Sequence, residues 1–334
     1  MPESITVSII LPNLNSHPYI GERLRSIREQ TLKTYEVIVV DGFSGDGSWE
    51  AIRAEAEKDH RYHLYRESPR GVYDAINSGI EKSKGACVYI ATSDDTMEPT
   101  CLEELEGALR SHPEAAIAQC ELELIDKDGS PLPVSKQWRK TAFPTHLRTN
   151  LDHLHVRNVP YDLIAHYVFG MIYSSLTQIL FLRSAYAKSG PFPLNYGTHG
   201  DFAWGICISA VGSTVYLSKK LATWRVHDEQ LTASASDGER LEQLLKIMRD
   251  QLSTLPQLIA NQPQRLFGID NFFKNLWVGE QLGKRNYIGA VFRYPHNTIR
   301  FLCRRFLRKI GVRTQSELPL SRSELHDRVL QASR

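Results

Sequence analysis

An α/β fold with a mostly parallel central sheet flanked by helices is predicted by three features of the chain. Short apolar runs of buried-strand type recur at 6–11, 37–40, 62–65, 88–91 and 115–125. Stretches with helical apolar spacing fill the intervals at 19–30, 49–58, 71–82 and 102–111. Strands that alternate with helices need crossover connections, and these give parallel pairing with both sheet faces covered. The third feature is where the strands stop: Asp41 ends the second, and Asp94-Asp95 end the fourth.

Each element has its own local warrant. Residues 6–11 (TVSIIL) are apolar and β-rich, and Pro12-Asn13 is expected to end them. In 19–30, Ile20, Leu24 and Ile27 recur on one helical face. Asp41-Gly42 closes the second strand, and FSGDGS over 43–48 has turn chemistry. Val72, Ile76 and Ile80 give the helix over 71–82 an inner face, and Gly85 breaks it before the fourth strand. Pro99 suits the first turn of the helix that follows the acids. Lys127-Asp128-Gly129 reads as a hairpin turn, after which 131–157 mixes turns, aromatics and histidines. Later come a strand at 177–182, a short helix at 183–189 and a helix at 202–211. Strands follow at 214–217 and 222–226. Small polar residues at 234–238 mark a boundary, and the chain is expected to be helical from 239 onward.

Composition narrows the class. The chain has 334 residues and a net charge of +2, which offers no global attraction to nucleic acid, and none is expected as a partner. The N-terminus lacks a basic region followed by an apolar core, so no secretory leader is expected. No apolar run approaches a membrane span. The five cysteines are scattered without metal-type spacing, as free thiols in a reducing compartment would be. A cytoplasmic location follows.

The chemistry concentrates at strand ends. In open α/β sheets ligands bind at the carboxyl ends of the strands. Asp94 and Asp95 stand there as a pair able to hold a hard divalent cation shared with phosphate oxygens; the alternative is a polar turn that starts a helix. Asp41 and Asp74 follow other strands, and each alone can also be a cap or turn residue. Neither a G-x-G-x-x-G after the first strand nor a P-loop occurs, so phosphates need another positive partner.

Five segments in order resemble the family 2 glycosyltransferases: VSIILPNLN (7–15), SIREQT (26–31), VIVVDGFSGDGS (37–48), GVYDAINSGI (71–80) and TSDD (92–95). The resemblance covers roughly 5–227. It implies the GT-A fold and a reaction that inverts the anomeric carbon of a nucleoside-diphosphate sugar. On that basis Pro12 lies beside the nucleotide, Asp41 holds the base, Asp74 lies by the base or ribose, and Asp94 faces the ribose or sugar. Asp95 binds the Mn²⁺ or Mg²⁺ that bridges the diphosphate. Gly42 departs from many members, which carry a second acid there. GTHGDFAW (197–204) resembles the family segment in which an acid serves as general base, assigning that role to Asp201; the alternative is a helix cap. WRVH (224–227) resembles an aromatic-Arg-x-His segment, so His227 completes the metal shell or, like Arg225, contacts the diphosphate. The alternative pairs Arg225 with Asp228.

The implied organisation is a GT-A domain over 1–235, with a nucleotide-binding half at 1–125 and an acceptor-side half at 126–235. A helical region follows at 236–334. Residues 284–313 hold nine Lys or Arg and no acid, interleaved with Phe, Leu and Ile. Such a stretch can lie on an anionic membrane or form a solvated face. The first option would bring the enzyme to a lipid-linked or growing glycan acceptor at the cytoplasmic face. Two other classes fit parts of the pattern, a sugar nucleotidyltransferase and a non-catalytic sugar-nucleotide-binding relative. The first would carry a Gly-rich basic loop where Pro12-Asn13-Leu14-Asn15 stands; retained Asp95 and Asp201 argue against the second.

Overall fold

The computed structural model describes residues 5–132, 153–159, 161–169 and 171–227, together with positions 243, 244, 246, 247, 250, 251 and 298. The expected boundary at 234–238 and the basic stretch 284–313 lie outside the described residues, apart from position 298.

The first half is built as the alternation predicts. β1 (Val7–Asn13), α1 (His17–Arg28), β2 (Tyr35–Asp41), α2 (Ser48–Ala56) and β3 (Tyr62–Arg66) come first. α3 (Val72–Lys82), β4 (Cys87–Ile90), α4 (Cys101–Ser111) and β5 (Ala115–Ile125) follow. β1 pairs in parallel with β2 and β4, and β2 with β3. β1 does not stop at Pro12 but runs through it, with Pro12 opposite Val40 and Asn13 opposite Asp41. β4 pairs with β1 only from Val7 to Ile10, so the N–H that Pro12 lacks is not required on that side.

The second half departs from strict alternation. β6 (His155–Arg157) and α5 (Tyr161–Phe169) were not predicted, because their stretch mixes turn residues, aromatics and histidines without a clean period. A 3-10 turn, Leu176–Gln178, leads into β7 (Ile179–Leu182), which runs antiparallel between β4 and β5. α6 (Arg183–Ser189) and α7 (Gly200–Ser209) follow. The two strands expected at 214–217 and 222–226 are one strand, β8 (Ser213–Arg225). Register shifts opposite Cys120–Leu122 absorb its polar middle, Ser218-Lys219-Lys220. The sheet order is β3-β2-β1-β4-β7-β5-β8-β6.

Alternate residues of the buried strands feed cores on opposite faces. Ile10, Ile38, Val88 and Ile90 join Trp204, Phe192 and Phe181 on one side. Ile9, Leu11, Val37 and Val39 meet Leu24 and Ile27 of α1 and Leu105 of α4 on the other. Each such aliphatic contributes about 1.5–3 kcal/mol on burial. Ile247 is 1 % exposed and belongs to the first of these cores, with Leu244 packed against it. No helix among the described residues is long and apolar enough to cross a membrane.

Candidate functional site

Parallel pairing puts the carboxyl ends of β1, β2 and β4 on one edge, and the polar residues that end them meet there. Asp41 is wholly buried. Its Oδ1 accepts hydrogen bonds from Asn13 Nδ2 at 2.7 Å and Ser44 Oγ at 2.6 Å. Its Oδ2 accepts from the Ser44 amide at 3.0 Å and from Arg66 Nε at 3.1 Å. Both oxygens are thus engaged by the protein. The accessible groups beside it are Arg66 and Phe43. The Arg66 guanidinium lies 5.1 Å from the Phe43 ring and 4.9 Å from the Trp49 ring. Phe43 is 55 % exposed and holds a left-handed backbone with φ of 64°. Pro12 is buried within β1.

The two acids after β4 are sorted by burial. Asp95 points inward and is 2 % exposed. Its Oδ1 accepts from the Arg225 amide at 2.8 Å, and its Oδ2 from Thr92 Oγ1 at 2.6 Å, with the hydroxyls of Ser175 and Thr177 at 3.4 Å. Burial, reinforced by the charge of Asp94 and opposed by Arg23, raises its carboxyl to about 6. Asp94 is the more open member, and its Oδ2 lies 3.2 Å from Nε2 of His227. The Nδ1 of His227 is buried without a hydrogen-bond partner among the described residues, and its ring lies 4.9 Å from that of Tyr19.

Oxygen and imidazole nitrogen donors at this spacing fit a divalent cation of the Mn²⁺ type. Among the described residues no group of three His, Cys, Asp or Glu could hold a metal alone. Two protein donors with the remaining positions left to phosphate and water is the usual arrangement where a cation is shared with a diphosphate. The pair that meets this description is Asp94 and His227. Asp95, the residue expected from the sequence, is enclosed by protein donors.

Arg225 is also placed differently from expectation. Its side chain is fully buried. Nε donates to the Asp94 carbonyl at 2.7 Å, and Nη1 to the carbonyls of Asp126 and Lys127 at 3.1 Å each. Nη2 pairs with Glu22, and the guanidinium carbon stands 4.9 Å from the Tyr19 ring. A guanidinium that meets three carbonyls and the Glu22 carboxylate ties the acid turn to the 126–129 turn; the expected alternative partner, Asp228, lies outside the described residues.

Asp74 lies in the first turn of α3, where the Arg70 amide donates to it at 3.0 Å. That hydrogen bond, with the Arg70 guanidinium, holds its carboxyl below the usual range. Tyr73 beside it turns inward, and its hydroxyl donates to the Thr198 carbonyl at 2.9 Å. Burial and the nearby charge of Asp201 raise the Tyr73 hydroxyl well above its ordinary value, so it stays a proton donor. Asp201 opens α7, half-buried, with Oδ1 accepting from the Phe202 amide at 2.7 Å. A β-carbon on Gly200 would stand 2.5 Å from the Tyr73 ring and 2.7 Å from the Pro193 carbonyl, so only glycine lets α3 and α7 approach this closely. The structure therefore joins the motifs at 71–80 and 197–204 through Tyr73.

Four contributors were not singled out from the sequence: Tyr19, Glu22, Arg23 and Arg66. Arg23 alone left a signal, a charged residue on the apolar stripe of Ile20, Leu24 and Ile27.

The sequence model described as glycosyl transferase family 2 matches residues 8–168. Glycosyltransferase GlyG of Streptococcus pneumoniae is 34 % identical over 100 residues, covering 30 % of this chain and 33 % of that protein. The chain's match spans half or less of the length of the curated relatives it resembles. Among solved structures, S. aureus TarS 1-349 in complex with UDP-GlcNAc superposes with a TM-score of 0.59 at 16 % identity, over 81 % of this chain and 72 % of TarS. The mannosyltransferase PcManGT from Pyrobaculum calidifontis, in complex with GDP-Man and Mn²⁺, also gives 0.59, at 17 % identity over 99 % and 86 %. These likenesses show the fold, which is GT-A. Residues 8–168 of this chain carry a glycosyl transferase family 2 domain.

Proposed function

We propose that the chain moves a sugar from a nucleoside-diphosphate sugar to an acceptor hydroxyl with inversion at the anomeric carbon. The observation that carries this reading is the Asp94–His227 pair at 3.2 Å, on the strand-end edge of the sheet. Asp94 and His227 hold Mn²⁺ or Mg²⁺, which when bound supplies positive charge to the departing diphosphate. Asp95 keeps the turn rigid from below. Arg225 fixes the turn's carbonyls. Asp41 acts through Arg66, which with Phe43 faces the base, and Asp74 lines the ribose side. Asp201 accepts the proton of the acceptor hydroxyl as it attacks, and Tyr73 holds the start of α7 in place. The donors in the TarS and PcManGT complexes, UDP-GlcNAc and GDP-Man, support a sugar nucleotide as substrate.

The acceptor is a glycan or lipid-linked hydroxyl. The chain works as a GT-A domain over 1–235 with a helical region at 236–334, whose basic stretch 284–313 rests on the cytoplasmic face of an anionic membrane. A thermal-shift panel of nucleoside diphosphates, each with and without Mn²⁺, tests the donor class. A ligand at about 100 times its dissociation constant adds about 2.7 kcal/mol. One nucleoside diphosphate should therefore raise the melting temperature by several degrees, and only with the metal. No shift with any of them would refute a nucleotide-sugar site.

A further inference from the structure

Metal-bound histidines usually have their second ring nitrogen fixed by a carboxylate, a carbonyl or water, and that contact sets the ring's orientation. Among the described residues His227 has no such partner: its Nδ1 is buried and unbonded. What lies against the ring instead is Tyr19, with centroids 4.9 Å apart and planes tilted by 39°. Tyr19 belongs to α1, and the next residues on that face of α1 also reach the site. Glu22 pairs with Nη2 of Arg225, whose Nε holds the Asp94 carbonyl at 2.7 Å. Arg23, fully buried, donates from Nε to the Thr92 carbonyl at 2.7 Å. Positions i, i+3 and i+4 share one helical face. That face thus meets the start of the acid turn, its end and the histidine opposite.

We propose that α1 orients the cation and diphosphate subsite. Tyr19 fixes the rotation of the His227 ring, and Glu22 fixes Arg225 and through it the backbone of Asp94. They are positioning residues and bind no donor atom themselves. This rests on the reading of Asp94 and His227 as the cation pair. The physical reason is that two protein ligands hold a cation well only when both are set before it arrives. An imidazole without a hydrogen-bonded second nitrogen keeps its ring angle only through packing.

Mn²⁺ binding to the full chain, read by the electron paramagnetic resonance of the free ion, tests this without turnover. Tyr19→Leu should weaken Mn²⁺ binding about 10-fold, the scale of lost contacts behind a metal ligand. Tyr19→Phe keeps the ring and should bind within about 2-fold of the unaltered chain. Glu22→Gln, at a side chain 44 % exposed, should weaken binding by about 3-fold with the fold intact, and stands in if Tyr19→Leu unfolds. Unchanged affinity in both Tyr19→Leu and Glu22→Gln would overturn the proposal. Equal loss in Tyr19→Leu and Tyr19→Phe would overturn the role of the ring. An unaltered chain that binds no Mn²⁺ would overturn the cation pair itself, and this inference with it.

Discussion

Arg157→Met should be among the most damaging single changes in the acceptor-side half. Arg157 and Asp162 form an ion pair whose side chains are each 3 % exposed. Arg157 Nε donates to Asp162 Oδ1 at 2.6 Å, and Nη2 reaches Asp162 Oδ2 at 3.1 Å and also Gln119. Tyr173 donates to Asp162 Oδ2 at 3.1 Å, and His166 lies close enough to add to the field. Burial pushes the Asp162 carboxyl up, yet Arg157 and these donors hold it below its usual value. In the unaltered chain this stability is therefore present above about pH 4, and is lost as pH falls through the lowered folded value. Methionine has similar length and no charge. It leaves Asp162 buried without a cation and costs about 3–5 kcal/mol near neutral pH. The sign of the pH dependence then reverses. Without Arg157, burial raises the folded carboxyl above its unfolded value, so the variant gains stability as acid protonates it. Urea unfolding at pH 7.5 and pH 5, each against the unaltered chain, should show the larger deficit at pH 7.5. Adding Asp162→Asn should recover part of it. A deficit below about 1 kcal/mol, or one equal at both pH values, would refute the electrostatic account of this pair.

Three further outcomes follow from the same geometry. Asp201→Asn should leave donor binding intact and slow transfer by about 100-fold or more, read as turnover against nucleotide affinity; lost affinity with preserved turnover would move Asp201 to the donor side. Gly200→Ala puts a methyl 2.5 Å from the Tyr73 ring, and thermal unfolding should show a loss of about 1–3 kcal/mol; a neutral result would mean that α3 and α7 are less closely tied than they look. Co-sedimentation with anionic vesicles should require residues beyond 281 and weaken with salt; equal binding by the intact chain and a truncation ending there would leave 284–313 as a solvated or protein-contact face.

Most of the nucleotide half was legible in the sequence, because its strands are unbroken apolar runs and its crossovers are amphipathic helices. Asp41, Asp74 and Asp94-Asp95 stood out for the same reason, as acids where apolar runs stop. What local pattern could not convey was direction. Asp94 and Asp95 are adjacent and chemically identical, and only the placement of β8 shows that one faces His227 while the other accepts from the Arg225 amide. Arg225 reads as a phosphate ligand, and local pattern gives no sign of its partners in α1 and the 126–129 turn, about 200 and 100 residues away in sequence. α5 carries buried Asp162 and His166 among its apolar residues, which blurs a helical period. Two strands were read where β8 is one, since Ser218-Lys219-Lys220 resembles a turn and is in fact a bulged strand segment.

The central claim is that Asp94 and His227 bind a cation that a sugar nucleotide needs in order to react. Release of nucleoside diphosphate from a panel of sugar nucleotides, followed with added Mn²⁺ and after chelation, tests it most directly when run beside Asp94→Asn. The account predicts that at least one donor is consumed, that chelation abolishes the release, and that Asp94→Asn lowers it about 100-fold or more at saturating donor. Release unaffected by both chelation and Asp94→Asn, or no release from any sugar nucleotide, would contradict it.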